Sequence, residues 1–481
     1  MTVFRLTRTT AATALLATFL SGCTTVGPDY TGAPDAPVQA AARGSFLRAP
    51  DALAQAPDAR WWESLNDPVL NGLINDALNG SPTLAAANAR VAQARASLAA
   101  SKTAAIPSIS TSFSAPYINV PGDFLGGSEG GRDEINAYNL GFDAAWELDL
   151  LGGQRRKVEA ASARAEASEA GVADARVTLS AEIARAYVGL RARQAMQTLQ
   201  TRQLGIDLAL AGLARERLQA GTAPAQPVNA AEAQAFASEA DLAKTGAEIA
   251  VLMDQIAVLT GKEPGALDAM LQTPSPVPLP PQTVAVGDPA LLLRSRPDVR
   301  TAERQLAAAN ADVGVQIANK FPKISFMGIL GLGGQSIADV FEPGNLVGLA
   351  LPQLKWSIFD GGRAARQVDV AKGALAEAEA RYQQSVLGAL QDAEGSLARF
   401  GAQRIAFART IDAEQRAQKT VQLQKQRLEA GTAGRTGMLN AERQAIQVSM
   451  AVAGARSELT TAFVAVEKAL GLGWQSSEPV K

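Results

Sequence analysis

The chain repeats itself. Glu216-Arg217-Leu218-Gln219-Ala220-Gly221-Thr222 returns as Gln426-Arg427-Leu428-Glu429-Ala430-Gly431-Thr432, an offset of about 210 residues. Trp146, followed by Gly152-Gly153 and a basic run, returns as Trp356 followed by Gly361-Gly362-Arg363. Ala105-Ile106-Pro107-Ser108-Ile109-Ser110 returns as Lys320-Phe321-Pro322-Lys323-Ile324-Ser325. Two copies imply two pseudo-symmetric halves, even though 481 residues would allow three domains at ~150 residues each. The Pro-rich stretch from Thr273 to Pro289 reads as an extended linker between them.

Each copy reads helix, strand, loop, strand, very long helix, turn, helix. Asp67-Pro68 and Ser81-Pro82 each place a capping residue before a helix-starting Pro. Ser295-Arg296-Pro297-Asp298 has the spacing of a capping box, so Arg296 and Asp298 read as a helix cap. Strands are expected at about residues 108–118, 137–149, 323–333 and 346–358. In the first, Ile109, Thr111, Phe113, Ala115 and Tyr117 alternate with serines; in the second, Leu140, Phe142, Ala144, Trp146 and Leu148 alternate with Asn139, Gly141, Asp143 and Glu147. The second copy offers Ile324, Phe326, Leu330 and Leu332, then Val347, Leu349 and Leu351, with a slip in phase at Pro352 that suggests a bulge or a protected position. Each run has about the ~9 to 11 residues that cross a bilayer as a tilted strand. The helices are too long for a compact domain. Arg363 to Ala430 carries Val368, Leu375, Tyr382, Val386, Leu390, Leu397, Phe400, Phe407 and Ile411 in heptad-like spacing. At ~1.5 Å per residue it spans on the order of 100 Å. Arg155 to Ala220 repeats the pattern with Val172, Leu179, Ile183, Tyr187 and Leu190. On its own, that pattern fits a rod of antiparallel coiled-coil hairpins.

Composition removes most chemistry. There is no His and a single Cys, so the commonest general base and zinc ligand are absent and no enzyme, metal or catalytic residue is expected. Lys+Arg 45 against Asp+Glu 47 leaves a net charge of -2, which gives no pull toward nucleic acid.

The first 22 residues read as an export signal, with basic Arg5 and Arg8, an apolar core from Ala11 to Leu20, and Leu20-Ser21-Gly22-Cys23 at its end. That tetrapeptide resembles a bacterial lipobox, in which the Cys becomes the acylated mature N-terminus. The only Cys of the chain stands at the one position where a lipoprotein requires it, and two or three acyl chains anchor stably where one does not. Thr24, rather than Asp, follows it, which in lipoproteins favours passage to the outer membrane.

Four membrane strands cannot close a barrel, and an open edge in hydrocarbon leaves backbone groups unsatisfied at several kcal/mol each. Closure requires several chains: two copies supply eight strands and three supply twelve, and the wider barrel leaves an open lumen. Its polar face, with Asp143 and Glu147, would look into water.

The chain resembles the TolC-like outer-membrane factor family, in its lipoprotein branch from RND-type tripartite efflux systems. The resemblance rests on Val26-Gly27-Pro28-Asp29-Tyr30, Trp61-Trp62 with Asp67-Pro68 and Leu70, Trp146-Glu147-Leu148-Asp149-Leu150, Arg296-Pro297-Asp298-Val299, Phe321-Pro322-Lys323-Ile324-Ser325 and Ile358-Phe359-Asp360-Gly361-Gly362. It covers essentially the whole mature chain. It implies a mainly α fold with membrane β: a homotrimer whose twelve-stranded outer-membrane barrel, four strands per chain, continues as a long periplasmic α-helical barrel with a small mixed equatorial region. The expected division is a signal peptide (1–22), a lipidated irregular segment (23–66), a first repeat (67–265), a Pro-rich linker (266–294), a second repeat (295–472) and a tail (473–481). Implied partners are a periplasmic adaptor, an inner-membrane RND-type pump and outer-membrane lipid; the covalent lipid on Cys23 is the one attached group, with no other cofactor. By position, Gly221, Thr222, Gly431 and Thr432 are the tips that meet the adaptor. The periplasmic constriction falls at Arg435, Gly437 and Asn440, with Glu442 nearby, where the family often carries Asp. The expected function is a passive outer-membrane conduit for small molecules such as drugs. The alternatives are the exit duct of a type I protein secretion system and an envelope-linking lipoprotein without transport.

Overall fold

The computed structural model describes residues 25–33, 44–48, 58–121 and 132–474. The signal peptide, Cys23 and most of the tail lie outside the described residues. The element order is α1 (Pro68–Gly80), α2 (Pro82–Thr103), β1 (Ser108–Ser114), β2 (Tyr117–Pro121), β3 (Arg132–Asn136), β4 (Tyr138–Leu148), α3 (Gly153–Gln219), α4 (Gln226–Leu259), the short α5 (Asp268–Leu271), α6 (Pro289–Ser295), α7 (Pro297–Ala318), β5 (Lys323–Gly334), β6 (Leu346–Lys355), α8 (Arg363–Glu429) and α9 (Arg435–Ala469). α3 and α8 are both 67 residues long, as two copies of one pattern should be. No described helix is long and apolar enough to cross a membrane.

The chain divides into two compact units. A strand unit takes the described residues of Met1–Pro34, Val91–Ser168 and Ala302–Tyr382, and a hairpin unit takes those of Asp35–Arg90, Glu169–Thr301 and Gln383–Lys481.

In the strand unit, one antiparallel sheet runs in the order β1-β4-β5-β6, so the two repeats lie side by side through the β4–β5 pair. β2 and β3 form a two-stranded ribbon that keeps the β1–β4 register. The first strand, expected to reach about residue 118, leaves the four-stranded sheet at Ser114 because Pro116 has no N–H to donate. The Pro116 carbonyl still accepts from the Ala137 amide at 3.1 Å and carries the hairpin past the break.

Register fixes which side chains share a face. Thr111, Phe142, Leu330 and Gly348 form one row, and Ser110, Asp143, Ile329 and Leu349 form the next on the opposite face. This corrects the sequence-based reading of β6. Val347, Leu349 and Leu351 lie on the face of Asp143, while Leu346, Ala350, Pro352 and Leu354 continue the apolar face of Phe142 and Leu330. There is no bulge at Pro352, which sits opposite Phe326 in unbroken register. Among the described residues β6 has a neighbour on one side only, a position where a strand tolerates Pro.

The repeats close the sheet's base in the same way. The Trp146 indole N–H donates to the Ala105 carbonyl at 3.1 Å, and that of Trp356 donates to the Lys320 carbonyl at 3.2 Å. The Val26 to Tyr30 motif is a strap at the same level. The Val26 amide donates to the Leu151 carbonyl, just past β4, at 3.0 Å. The buried Arg156 guanidinium donates to the Val26 and Gly27 carbonyls and pairs with Asp29 at 2.5 Å. Gly27 lies so close to α7 that a Cβ there would stand 2.5 Å from the Gly314 Cα.

The hairpin unit is packed around α3. Asp67 caps α1, accepting from the Val69 and Leu70 amides at 3.0 Å, and its other oxygen accepts from the Tyr187 hydroxyl at 2.8 Å. Trp61 packs edge-on against Trp62 and Phe463, and Phe463 against Phe400. Leu179, Ile183, Tyr187 and Leu190 of the α3 stripe are buried, as are Val386, Leu397 and Phe400 of α8. The linker is extended but anchored: the Arg191 guanidinium donates to the Leu271 and Thr273 carbonyls, and the Thr460 hydroxyl donates to the Pro278 carbonyl at 2.7 Å.

The expected capping box at Ser295 does not form. The Ser295 hydroxyl donates back to the Leu292 carbonyl of α6. The Arg296 side chain, 9% exposed, instead ties α7 to α9 and α8: it donates to the Ala469 carbonyl at 2.7 Å and pairs with Asp298 at 2.6 Å and Asp392 at 3.5 Å. Burial pushes the Asp298 carboxyl up, but the Arg296 hydrogen bond and charge outweigh it and hold the group below the usual carboxylate range.

Candidate functional site: the hairpin tips and the sheet faces

Both long helices end in the same motif. At the first tip, Gly221 has φ +69 and its amide donates to the Leu218 carbonyl, while the Thr222 amide and hydroxyl both donate to the Arg217 carbonyl at 2.9 and 3.0 Å. At the second, Gly431 has φ +70, and Thr432 makes the same pair of bonds to the Arg427 carbonyl at 2.8 and 3.1 Å. The left-handed backbone requires Gly, and Thr satisfies a carbonyl that the ending helix leaves open. All four residues are exposed, and nothing lies within 4 Å of where a Cβ would stand on either Gly.

The proposed constriction residues begin α9. Arg435 is its first residue, exposed and with no ion pair among the described residues; it does not pair with Glu442. Gly437 and Asn440 are also exposed, one turn apart along the helix.

Two connections near the tips were not anticipated. The Arg217 guanidinium donates to the Thr436 hydroxyl at 3.0 Å and joins the first tip to the second. Farther from the tip, the Asp207 carboxylate of α3 is 1% exposed, accepts from the Ser238 hydroxyl of α4 at 2.7 Å, and lies 3.6 Å from the Arg443 guanidinium of α9. Single polar residues with distant partners leave no periodic trace; only the recurrence of Arg217 as Arg427 hinted at a role.

The strand unit has a surface of its own, the sheet. One face is apolar across all four strands, from Ile109 and Phe113 through Phe142 and Leu330 to Leu354. The other carries serines, Asp143, and a polar end where Glu147 pairs with Lys323 at 3.2 Å. Among the described residues, no cluster of acidic or thiol side chains could hold a metal ion.

Two tips of one design, each ending a 67-residue helix that follows its own pair of strands in the chain, describe a repeated duct element rather than a pocket. A family model described as "Outer membrane efflux protein" matches residues 73–262 and 289–472, one stretch in each repeat. The chain belongs to the outer membrane efflux protein family. Nodulation protein T of Rhizobium leguminosarum bv. trifolii is 28% identical over 477 residues, covering 98% of both chains. The toluene efflux pump outer membrane protein TtgF of Pseudomonas putida is 28% identical over 477 residues, covering 97% of both. The solved outer-membrane channel OprN is 32% identical with a TM-score of 0.82, over 94% of this chain and all of that one. As a member of this family of outer membrane efflux proteins, the chain is an outer-membrane channel component of an efflux system and not an enzyme. Its fold, membrane β-strands on long α-helical hairpins, is that of the TolC-like channels.

Proposed function

We propose that three copies form one duct, with β6 of each copy pairing with β1 of the next to close a twelve-stranded barrel, and with the hairpins continuing it into the periplasm. The observation that carries this is the sheet itself: one face is largely apolar over all four strands, yet among the described residues β1 and β6 have a neighbour on one side only. Hydrocarbon does not tolerate unpaired edges. On this reading Gly221, Thr222, Gly431 and Thr432 meet a periplasmic adaptor bound to an RND-type inner-membrane pump. The start of α9, with Arg435, Gly437 and Asn440, narrows the resting duct. Acyl chains on Cys23 anchor the N-terminus in the outer membrane; the strap from Val26 supports this, because it places the following residues at the base of the sheet. The cargo is small molecules carried passively through the wall of the envelope. Light scattering of the detergent-extracted protein should return a trimer. A stable monomer would overturn the shared barrel.

A further inference from the structure

The water-side face of the sheet is divided in two. Its β1–β4 half carries Ser108, Ser110, Ser112 and Asp143, while its β5–β6 half carries Met327, Ile329, Val347, Leu349 and Leu351. Leucine and valine here do not mean lipid. Leu349 shares a row with Asp143 and Ser110, Val347 with Ser112 and Leu351 with Ser108, and toward the helices the same face ends in Glu147, Lys323 and Lys355. The opposite face is apolar but for Thr111, whose hydroxyl donates to the Gly141 carbonyl, and on the duct reading it takes the bilayer. Val347 and Leu349 are about half exposed in the chain, and a contiguous apolar patch on a face otherwise polar marks a contact surface.

We propose that β5 and β6 lay an apolar lane along the lumen, against which the apolar part of an exported molecule slides. This rests on the duct reading above. With strands ~4.8 Å apart and ~3.3 Å per residue, the lane is on the order of 10 Å wide and 13 Å long from Val347 to Leu351, the size of a small organic molecule. A neighbouring copy does not fill it, because a strand that extends the sheet meets β6 at its edge and leaves its faces free. In the row Ser110, Asp143, Ile329 and Leu349, polar and apolar wall stand side by side. The occupant that fits is an amphiphile, its apolar body over Ile329 and Leu349 and its polar end toward Asp143. A shallow wall contact holds such a molecule weakly enough to release it, as conduction requires.

Cysteine labelling of the full-length protein in outer membranes tests the lane, with the native chain, whose single Cys is Cys23, as background. A charged, impermeant maleimide should modify Leu349→Cys and Ser110→Cys and spare Leu330→Cys. Tetrabutylammonium should slow labelling of Leu349→Cys several-fold relative to tetramethylammonium, and the difference should vanish when Ile329→Ser and Val347→Ser are added. Equal slowing by the two ions overturns the lane, as does a protected Leu349→Cys beside a labelled Ser110→Cys; in both cases the duct stands. Labelling of Leu330→Cys with both other positions protected reverses the faces and overturns the duct reading itself.

Discussion

Glu467 is a buried carboxyl of the hairpin unit, 4% exposed one turn beyond Phe463 in α9. Burial, with a smaller contribution from the charge of Asp58, raises its pKa from 4.5 to about 8. Between those two values the folded state holds a proton that the unfolded state has lost. The stability tied to this proton is therefore complete below pH 4.5 and lost as pH rises through 8, at roughly 1.4 kcal/mol per unit. Glu467→Gln should match the wild type in thermal unfolding near pH 4 and exceed it above pH 8; parallel curves at both would refute the burial argument. Arg435 acts differently, through repetition. If it lines the pore of a trimer as proposed, an exposed Arg at the start of α9 with no ion pair among the described residues becomes a ring of three, which repels cations where an Asp ring attracts them. Planar-bilayer recordings should show weak cation selectivity in the wild type, a change in Arg435→Ala, and a gain of cation selectivity in Asn440→Asp. Strong cation selectivity in the wild type refutes the ring, and unchanged selectivity in Arg435→Ala places Arg435 outside the pore.

Among elements, the β4–β5 pair joins the repeats, and it depends on glycine. Gly141 and Gly331 stand opposite each other, and a Cβ on Gly331 would lie 2.7 Å from the Leu140 carbonyl oxygen. Gly331→Ala must push the strands apart, at about 1 to 3 kcal/mol, and the yield of assembled trimer on unheated gels should fall. Helix ends and strand positions were legible in the sequence because they depend on local chemistry: Asp67-Pro68 starts α1, and the Gly-Thr pairs end α3 and α8. The facing of β6 was not. Val347, Leu349 and Leu351 alternate as regularly as a lipid-facing row does, and only their pairing through β5 to Asp143 shows which side they occupy. Arg296 misled for the same reason, since a capping spacing is local while its partners Ala469 and Asp392 come from the other end of the chain. The tip residues were legible as turns, but the Arg217 to Thr436 bond was not.

At the scale of the whole molecule, the two faces should respond oppositely to charge. Leu330→Arg or Phe142→Arg, on the apolar face, should cost about 2 to 4 kcal/mol per chain near the midplane, and a trimer repeats that cost in every copy. Leu349→Arg, on the face of Asp143, should leave trimer yield near wild type; equal losses from both faces would show that the sheet does not separate lipid from water. Cys23→Ser should weaken anchoring and still permit assembly, because twelve strands bury far more apolar surface than a few acyl chains. The β4–β5 pairing also sets a timetable for folding. Phe142 finds Leu330 almost a full repeat later in the chain, so the first hairpin emerges from the export machinery with its inner edge bare and must wait for the second. Contacts that distant form slowly, and a bare edge invites pairing with the wrong strand. A newly exported chain therefore spends its most vulnerable interval half-made in the periplasm, where its survival depends on whatever shields that edge until the partner strand arrives.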